Sequence, residues 1–135
     1  MLKPLILAVL LLGTFAVNAQ KKCKLTVSIE YKGLVEGYIH DTKDQIFIND
    51  VLVKETAPRN QELTYNATMK VQAGDVNFKI VNWTLYEGNW EETLVQNEYS
   101  IDATKELKLK LGKKNKLSVV YDLDDPSREP LISFE

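Results

Sequence analysis

Alternating apolar and polar positions run through most of the chain and predict strands. The longest such run is 74–90, which contains both tryptophans. In its first half Val76, Phe78 and Ile80 alternate with polar residues, which is the period of a strand with one buried face. From Val81 the apolar positions shift by one, so we expect either a β-bulge near Val81 or a strand that is covered on both faces. We expect this strand at the centre of a sheet, because an exposed edge of this kind would promote aggregation.

Shorter runs with the same alternation bring the predicted total to about seven strands. They lie at 24–31, 46–48, 51–53, 64–71, 105–111 and 117–123. Asn49 and Asp50 tolerate the positive φ angles of a two-residue turn, and that turn pairs Phe47 with Leu52. Because both faces of the hairpin 46–53 are apolar, we expect either that both are covered or that the hairpin meets a partner.

Two short connections predict antiparallel pairs between consecutive strands. The turn at 72–75 joins the strand 64–71 to the long strand. The turn at 112–115 joins 105–111 to 117–123, and this is the clearest hairpin of the chain.

Other segments give weaker patterns. Residues 32–43 are predicted to form a loop, with a short strand at 34–35. For the segment 89–99 the pattern allows two structures, a short helix capped by Asn89 or a strand. The last apolar residues, 131–134, are predicted to dock as a short edge strand.

About seven strands and no long helix predict an all-β domain over residues 20–135, a single antiparallel β-sandwich. The unit 46–53, followed by the Gly74 turn into the long strand, resembles the prealbumin-like and PEGA-like sandwich modules of bacterial envelope proteins. The resemblance covers residues 46–78, and Asp50 stands where these modules usually have a glycine. It implies a binding, spacing or anchoring role and supplies no catalytic residues.

Residues 1–19 have the features of a signal peptide. Lys3 precedes the apolar run Leu5–Leu12, and Val17-Asn18-Ala19 ends in the small-x-small pattern of a cleavage site. We therefore expect a secreted or periplasmic protein. Removing Lys3 changes the net charge of the chain from −2 to −3. An acidic chain of this kind gives no indication of nucleic-acid binding.

The chemistry-bearing residues are few. Cys23 is the single cysteine, so no disulfide forms within the chain, and we expect a free thiol on a frayed N-terminus. Lys21 and Lys22 before it do not fit a lipidation motif. His40 is the single histidine and is expected to be a solvated loop residue. No nucleophile-elbow, phosphate-loop or zinc-protease motif occurs, so we predict neither an enzyme nor a cofactor.

Four aromatic residues are the best candidates for a binding surface: Trp83, Tyr86, Trp90 and Tyr99. Trp83 and Tyr86 point to opposite faces of one strand. Exposed aromatic side chains on a rigid sheet can stack on sugars or anchor a protein partner. The alternative is that Trp83 belongs to the core and Trp90 closes one end of the sandwich.

Two charged clusters are weaker candidates. Asp122, Asp124, Asp125 and Glu129 have the oxygen ligands that calcium prefers, but a solvated acidic tail is the favoured explanation. Five lysines decorate the predicted hairpin 105–123 as a local basic patch: Lys108, Lys110, Lys113, Lys114 and Lys116.

These features favour a non-catalytic protein that recognises a protein or a cell-envelope component. The alternative is a carbohydrate-binding module that uses Trp90 with Tyr86 or Tyr99. A small hydrolase is the third hypothesis, but no spacing of carboxylates predicts its active site.

Overall fold

The computed structural model describes residues 21–135, and the regular secondary structure within them is nearly all strand. The strands are β1 (Lys22–Lys32), β2 (Asp41–Ile48), β3 (Val51–Glu55), β4 (Arg59–Asn60), β5 (Tyr65–Gln72), β6 (Gly74–Tyr86), β7 (Asn89–Glu92), β8 (Lys105–Leu111), β9 (Lys114–Asp122) and β10 (Leu131–Phe134). A 3-10 helix, Val95–Asn97, follows β7. The all-β prediction is confirmed, and the short strands β4 and β7 are additional to those predicted. The predicted signal peptide, residues 1–19, lies outside the described residues.

The strands form two sheets. The four-stranded sheet has the order β10-β9-β1-β5, and its β1–β9 pair is parallel although a wholly antiparallel fold was predicted. In the six-stranded sheet β2 and β6 lie side by side at the centre. β3 and β4 pair with β2 on the side away from β6. β7 and β8 pair with β6 on the side away from β2. The long strand is therefore central, as predicted.

One apolar core joins the inward faces of both sheets. Leu25, Val27 and Ile29 of the four-stranded sheet are fully buried, as are Phe78 and Ile80 of the six-stranded sheet. Burying each of these side chains contributes about 1.5–3 kcal/mol to stability. Residues 21–135 thus enclose a core of their own.

Two predicted hairpins are wrong, because the chain crosses between the sheets at both turns. β5 pairs with β1. β6 begins after the single intervening residue Ala73 and pairs with β2 and β8. Gly74 makes this crossing with a φ of +97°, a conformation that favours glycine. β8 likewise pairs with β6, whereas β9 pairs with β1. Strands that cross in this way oppose their apolar faces across the core and bury them against each other.

Asn115 holds the crossing between β8 and β9. Its side chain accepts a hydrogen bond from the Gly112 backbone N–H (2.8 Å) and donates to the carbonyl of Lys24 (2.9 Å). Asn115 is buried, so these bonds replace contacts with water. The turn is thereby attached to the start of β1.

The hairpin of β2 and β3 has the predicted register next to its turn, and a register shift between Ile46 and Phe47 then pairs Ile46 with Lys54. Phe47 pairs with Leu52, and Asn49 and Asp50 have φ angles of 49° and 66°. Coverage of both faces within the described residues is wrong, because Leu52 is 46% exposed and Val51, at the turn, is 62% exposed. The alternative, a partner that covers the exposed face, stays a prediction. β3 is an edge strand, and only one face of the hairpin meets the core.

Two further expectations are corrected. Cys23 lies within β1 and is buried, because its pairing with Val71 draws the start of the chain into the sheet. Residues 34–35 lie in a loop. The open segment 89–99 begins as the strand β7 and continues through the 3-10 helix. The predicted edge strand at 131–134 is present as β10, which pairs with β9.

Candidate functional site

The inward face of β6 changes from apolar to polar along its length. Phe78 and Ile80 are followed on the same face by Asn82 and Thr84, which are both fully buried. The pairing of β6 with β2 continues through this region without a register shift, so of the two alternatives raised at Val81 the bulge is wrong. Val81 is 7% exposed on the outer face. Both faces of β6 are therefore covered at this point.

Asp44 is the centre of the buried polar network that surrounds Asn82. Its carboxylate accepts hydrogen bonds from Arg59 Nη2 (2.8 Å), Asn82 Nδ2 (2.9 Å) and the hydroxyl of Tyr121 (2.7 Å). A buried carboxylate is costly unless donors of this kind surround it. Asp44 is fully buried, so the network offsets the loss of water around its charge.

Asn82 extends the network towards one end of the molecule. Its Oδ1 accepts hydrogen bonds from the hydroxyls of Tyr31 and Thr93. Burial, and secondly the nearby charge of Asp44, raises the pKa of both Tyr31 and Tyr121, so the two phenols are neutral donors. Tyr31 and Thr93 also line an open cleft, which the network supports from below.

This cleft has a volume of about 540 Å³. The loop before β2 contributes Tyr38 and His40 to its lining. The β6–β7 hairpin contributes Tyr86, and the chain after the 3-10 helix contributes Tyr99. We call this feature the tyrosine cleft, after Tyr38, Tyr86 and Tyr99.

The tyrosine rings are available to a ligand to different degrees. Tyr38 is 75% exposed and Tyr86 45% exposed, and the His40 ring lies edge-on to Tyr86 with 5.7 Å between centroids. The Tyr99 hydroxyl donates to Glu91 Oε2 (2.8 Å), and burial followed by this bond raises the pKa of Tyr99. Tyr99 is thus held in place, whereas Tyr38 and Tyr86 present their rings to solvent.

Gly33 allows the cleft to form at its base. It has a φ of +75°, and a Cβ at this position would lie 2.8 Å from Asp124 Oδ2. Any larger residue would push the loop away from Asp124, which lines the same cleft.

The two tryptophans lie on a different surface. Leu85 pairs with Trp90, so Trp90 shares the outer face of the six-stranded sheet with Leu85 and Trp83. Trp83 Nε1 donates to Gln45 Oε1 (3.0 Å), and Lys43 Nζ lies 4.6 Å from the centroid of a Trp90 ring. Both tryptophans are half-buried on this face, and neither lines the tyrosine cleft.

The structure therefore separates the four predicted binding residues into two pairs. Tyr86 and Tyr99 meet in the cleft, and Trp83 and Trp90 lie on the outer face. Tyr38 and His40 were not predicted as site residues. The sequence signal that could have marked them is that Tyr38 lies two residues before the single histidine, in a loop that contains Gly33 and Gly37.

The acidic cluster near the C-terminal end uses its oxygens locally. Asp122 Oδ1 accepts from the backbone N–H of Asp124, and Glu129 pairs with Lys105 (3.2 Å). Hydrogen bonds from Ser127 lower the pKa of Asp125. Within residues 21–135, no three His, Cys, Asp or Glu side chains form a group that could hold a metal ion.

Comparisons with known proteins do not assign the chain. No family model and no curated protein matches it. A structure described as "Trapped Toxin" is 11% identical over 86% of this chain, and the human-specific toxin intermedilysin is 14% identical over 86%, each with a TM-score of 0.39. Pneumolysin is 12% identical over 87%, with a TM-score of 0.34. The chain spans 23–24% of the length of these proteins, and such scores support neither a fold family nor a function.

Across residues 21–135, no helix has the length and apolar character needed to cross a membrane.

Proposed function

We propose that this chain is a secreted or periplasmic, non-catalytic β-sandwich protein, and that it recognises a component of the bacterial cell envelope in the tyrosine cleft. The observation that carries the proposal is the cleft itself, about 540 Å³ in volume and lined by tyrosines. Ligand pockets typically have volumes of about 300–1,000 Å³ and combine aromatic walls with a few polar groups. The resemblance of residues 46–78 to prealbumin-like and PEGA-like modules supports a binding role.

Two of the polar groups in the cleft are engaged in holding its shape. Glu91 is engaged by the Tyr99 hydroxyl, and Gln61 Oε1 accepts from the backbone N–H of His40 (3.0 Å). A general acid or base needs to reach the reacting group of a substrate. These interactions instead fix the walls of the cleft in one geometry, which is what a binding site requires.

The cleft favours a saccharide among envelope components. Tyrosine rings such as Tyr38 and Tyr86 can pack against the apolar face of a sugar, while their hydroxyls form hydrogen bonds. Glu98 and Asp124 line the same space and can accept hydrogen bonds from sugar hydroxyls. This supports the carbohydrate-binding alternative with tyrosines in the cleft rather than with Trp90.

The outer face carries the second candidate, a protein partner. Trp83 and Trp90 are half-buried there, and Leu52 at the edge of the same sheet is 46% exposed. Aromatic residues on a rigid sheet are frequent anchors of protein interfaces.

Calorimetric titration of the chain from Gln20 with soluble envelope oligosaccharides tests the proposal. We expect Tyr86→Ala to weaken binding by at least about tenfold, because it removes a stacking surface. Trp90→Ala is the matched control, since it removes an aromatic ring from the outer face of the six-stranded sheet, outside the cleft. It should leave the affinity unchanged.

Loss of binding in Trp90→Ala alone would move the site to the outer face and contradict the cleft proposal. If no saccharide binds, the saccharide assignment is wrong, and capture of a protein partner that requires Trp83 and Trp90 would then support the second candidate.

A further inference from the structure

Three lysines stand side by side on the outer face of the four-stranded sheet. The register places Lys24 of β1 directly opposite Lys70 of β5 on one side and Lys114 of β9 on the other. Their neighbours Cys23 and Leu25 are buried, so Lys24 points away from the core. Adjacent strands lie about 4.8 Å apart, so three positive charges occupy about 10 Å of the sheet.

These charges have no carboxylate partner in the described part of the chain. The ion pairs of residues 21–135 are Lys43–Glu55, Arg59–Asp44 and Lys105–Glu129. Like charges directly opposite each other in a sheet reduce stability. A row of three in an acidic protein is therefore an arrangement that a bound anion would stabilise.

The positive surface extends beyond the row. Lys22 lies two residues before Lys24 on β1, and Lys116 lies two residues after Lys114 on β9, so both are outward positions of the same sheet. The backbone N–H of Lys24 donates to the carbonyl of Lys113 (3.5 Å), which holds Lys113 beside the row. We call the lysine face the surface formed by Lys22, Lys24, Lys70, Lys113, Lys114 and Lys116. A shallow depression of about 610 Å³ lies at this end of the sheet.

This grouping differs from the predicted basic patch of five lysines. Lys108 and Lys110 belong to β8 in the other sheet, where Lys110 lies opposite Asp75. The crossing between β8 and β9 separates them from the remaining lysines. β1 and β5 contribute Lys22, Lys24 and Lys70, which are distant from Lys114 in the sequence.

A strip of neutral polar side chains continues the lysine face along the sheet. Thr26 and Thr68 share a hydrogen bond (3.2 Å), and Ser28 lies opposite both Asn66 and Ser118. A second depression, of about 360 Å³, lies over these residues, and Lys116 and Glu135 also line it. The outward positions of this strip carry hydroxyl and amide groups, which can form hydrogen bonds with sugar hydroxyls.

We propose that the lysine face binds an acidic polysaccharide, a linear chain whose carboxylate or sulfate groups meet the lysines and whose hydroxyl groups meet the polar strip. Charge complementarity identifies the ligand, and the polar strip favours a saccharide chain over other polyanions. The outward residues of the strip and row lack the aromatic rings on which nucleic-acid bases stack and the apolar residues that insert into a lipid surface. The lysine face is separate from the tyrosine cleft, so either proposal can fail without the other.

The test compares two triple variants of equal charge change. Lys24→Gln, Lys70→Gln and Lys114→Gln remove the row, while Lys32→Gln, Lys108→Gln and Lys110→Gln remove three exposed lysines elsewhere. Binding is measured by calorimetry with a heparin fragment, polygalacturonate, neutral dextran and anionic phospholipid vesicles. Thermal unfolding of each variant confirms that it is folded.

We expect the unaltered protein to bind the two acidic polysaccharides and not dextran, with affinity that falls as salt increases. The row variant should lose at least about tenfold in affinity, whereas the control variant should keep it within about twofold. The row variant should also unfold at the same or a higher temperature, because repulsion has been removed.

Three results would overturn the proposal. The unaltered protein binds neither polysaccharide, both triple variants lose affinity equally, or anionic vesicles bind through the row while the polysaccharides do not.

Discussion

At the scale of single residues, Asp44 connects the two sheets. It accepts hydrogen bonds from Arg59 and Asn82 on its own side and from Tyr121 of the four-stranded sheet. These bonds tie β2 to β9 across the polar end of the core. The floor of the tyrosine cleft therefore depends on a charged group that is fully buried.

Asp44→Ala should destabilise the fold strongly. Removing the carboxylate leaves the largely buried Arg59 guanidinium without its partner, and breaking a buried ion pair in this way costs about 3–5 kcal/mol. Asp41→Ala is the matched control on the same strand, because Asp41 is exposed. Urea unfolding should show a change within about 0.5 kcal/mol for the control. A loss of under about 1 kcal/mol in Asp44→Ala would contradict the role of the network.

The buried phenols should make the protein sensitive to alkali. The pKa values of Tyr31 and Tyr121 are raised in the folded state, so above the ordinary tyrosine value of about 10 only the unfolded chain loses these protons. Stability from these groups is present below pH of about 10 and is lost as pH rises, by about 1.4 kcal/mol per pH unit for each phenol.

Urea unfolding between pH 8 and 11 measures this loss. Tyr121→Phe should be less stable near neutral pH, because Asp44 loses a donor, but its stability should fall less steeply above pH of about 10. Tyr38→Phe is the control, since Tyr38 is exposed, and its slope should match that of the unaltered protein. Equal slopes for all three proteins would refute the explanation.

The sequence could not reveal this network. Asn82 and Thr84 are polar, so strand periodicity assigns them to the outer face, and Trp83 takes their place in the apolar pattern. Their partners are remote in the chain: the Tyr31–Asn82 hydrogen bond spans 51 positions. Inward polar residues become recognisable only when the pairing of β2 and β6 brings Asp44 beside Asn82.

At the scale of elements, alternation predicted where strands lie but not which strands pair. The pattern of β8 and β9 is that of two half-buried strands, and it is the same whether they form a hairpin or cross between sheets. Short connections favour hairpins on average. Here the side-chain hydrogen bonds of Asn115 favour the crossing between β8 and β9, and the positive φ of Gly74 favours the crossing between β5 and β6. Periodicity encodes neither feature.

Asn115→Ala should therefore destabilise the crossing. The substitution leaves the Gly112 N–H and the Lys24 carbonyl without their side-chain partner, at a cost of about 1–2 kcal/mol for each of these part-buried bonds. Asn66→Ala is the control, because Asn66 is exposed on β5. Chemical unfolding should give a loss of about 2–4 kcal/mol for Asn115→Ala and under about 0.5 kcal/mol for the control. Equal stability of the two variants would show that the turn does not need Asn115.

At the scale of the whole molecule, the first strand is part of the core rather than a frayed end. Cys23 is 7% exposed and pairs with Val71. Its thiol should therefore react with a disulfide reagent only when the sheet opens, and its rate should rise with urea in parallel with unfolding. Lys22→Cys in a Cys23→Ala background is the control, since an exposed thiol should react at once. Immediate labelling of Cys23 in the native protein would show that β1 is frayed.

The two sheets leave three surfaces with different chemistry. The tyrosine cleft lies at the polar end of the core, the tryptophans lie on the outer face of the six-stranded sheet, and the lysine face covers part of the four-stranded sheet. The sequence predicted the four aromatic residues as candidates for binding but not their separation into two surfaces. That separation depends on the β6–β7 hairpin and on the loop that carries Tyr38. The cleft is the surface that brings exposed aromatic rings and polar groups together.

Mapping of backbone chemical shifts by NMR, during titration of the chain from Gln20 with envelope oligosaccharides, tests this assignment most directly. If the cleft is the ligand site, the amide signals of His40, Tyr86 and Tyr99 should shift in proportion to ligand bound, and the indole signals of Trp83 and Trp90 should stay in place. Shifts confined to the two indole groups would contradict the assignment and place the ligand on the outer face of the six-stranded sheet.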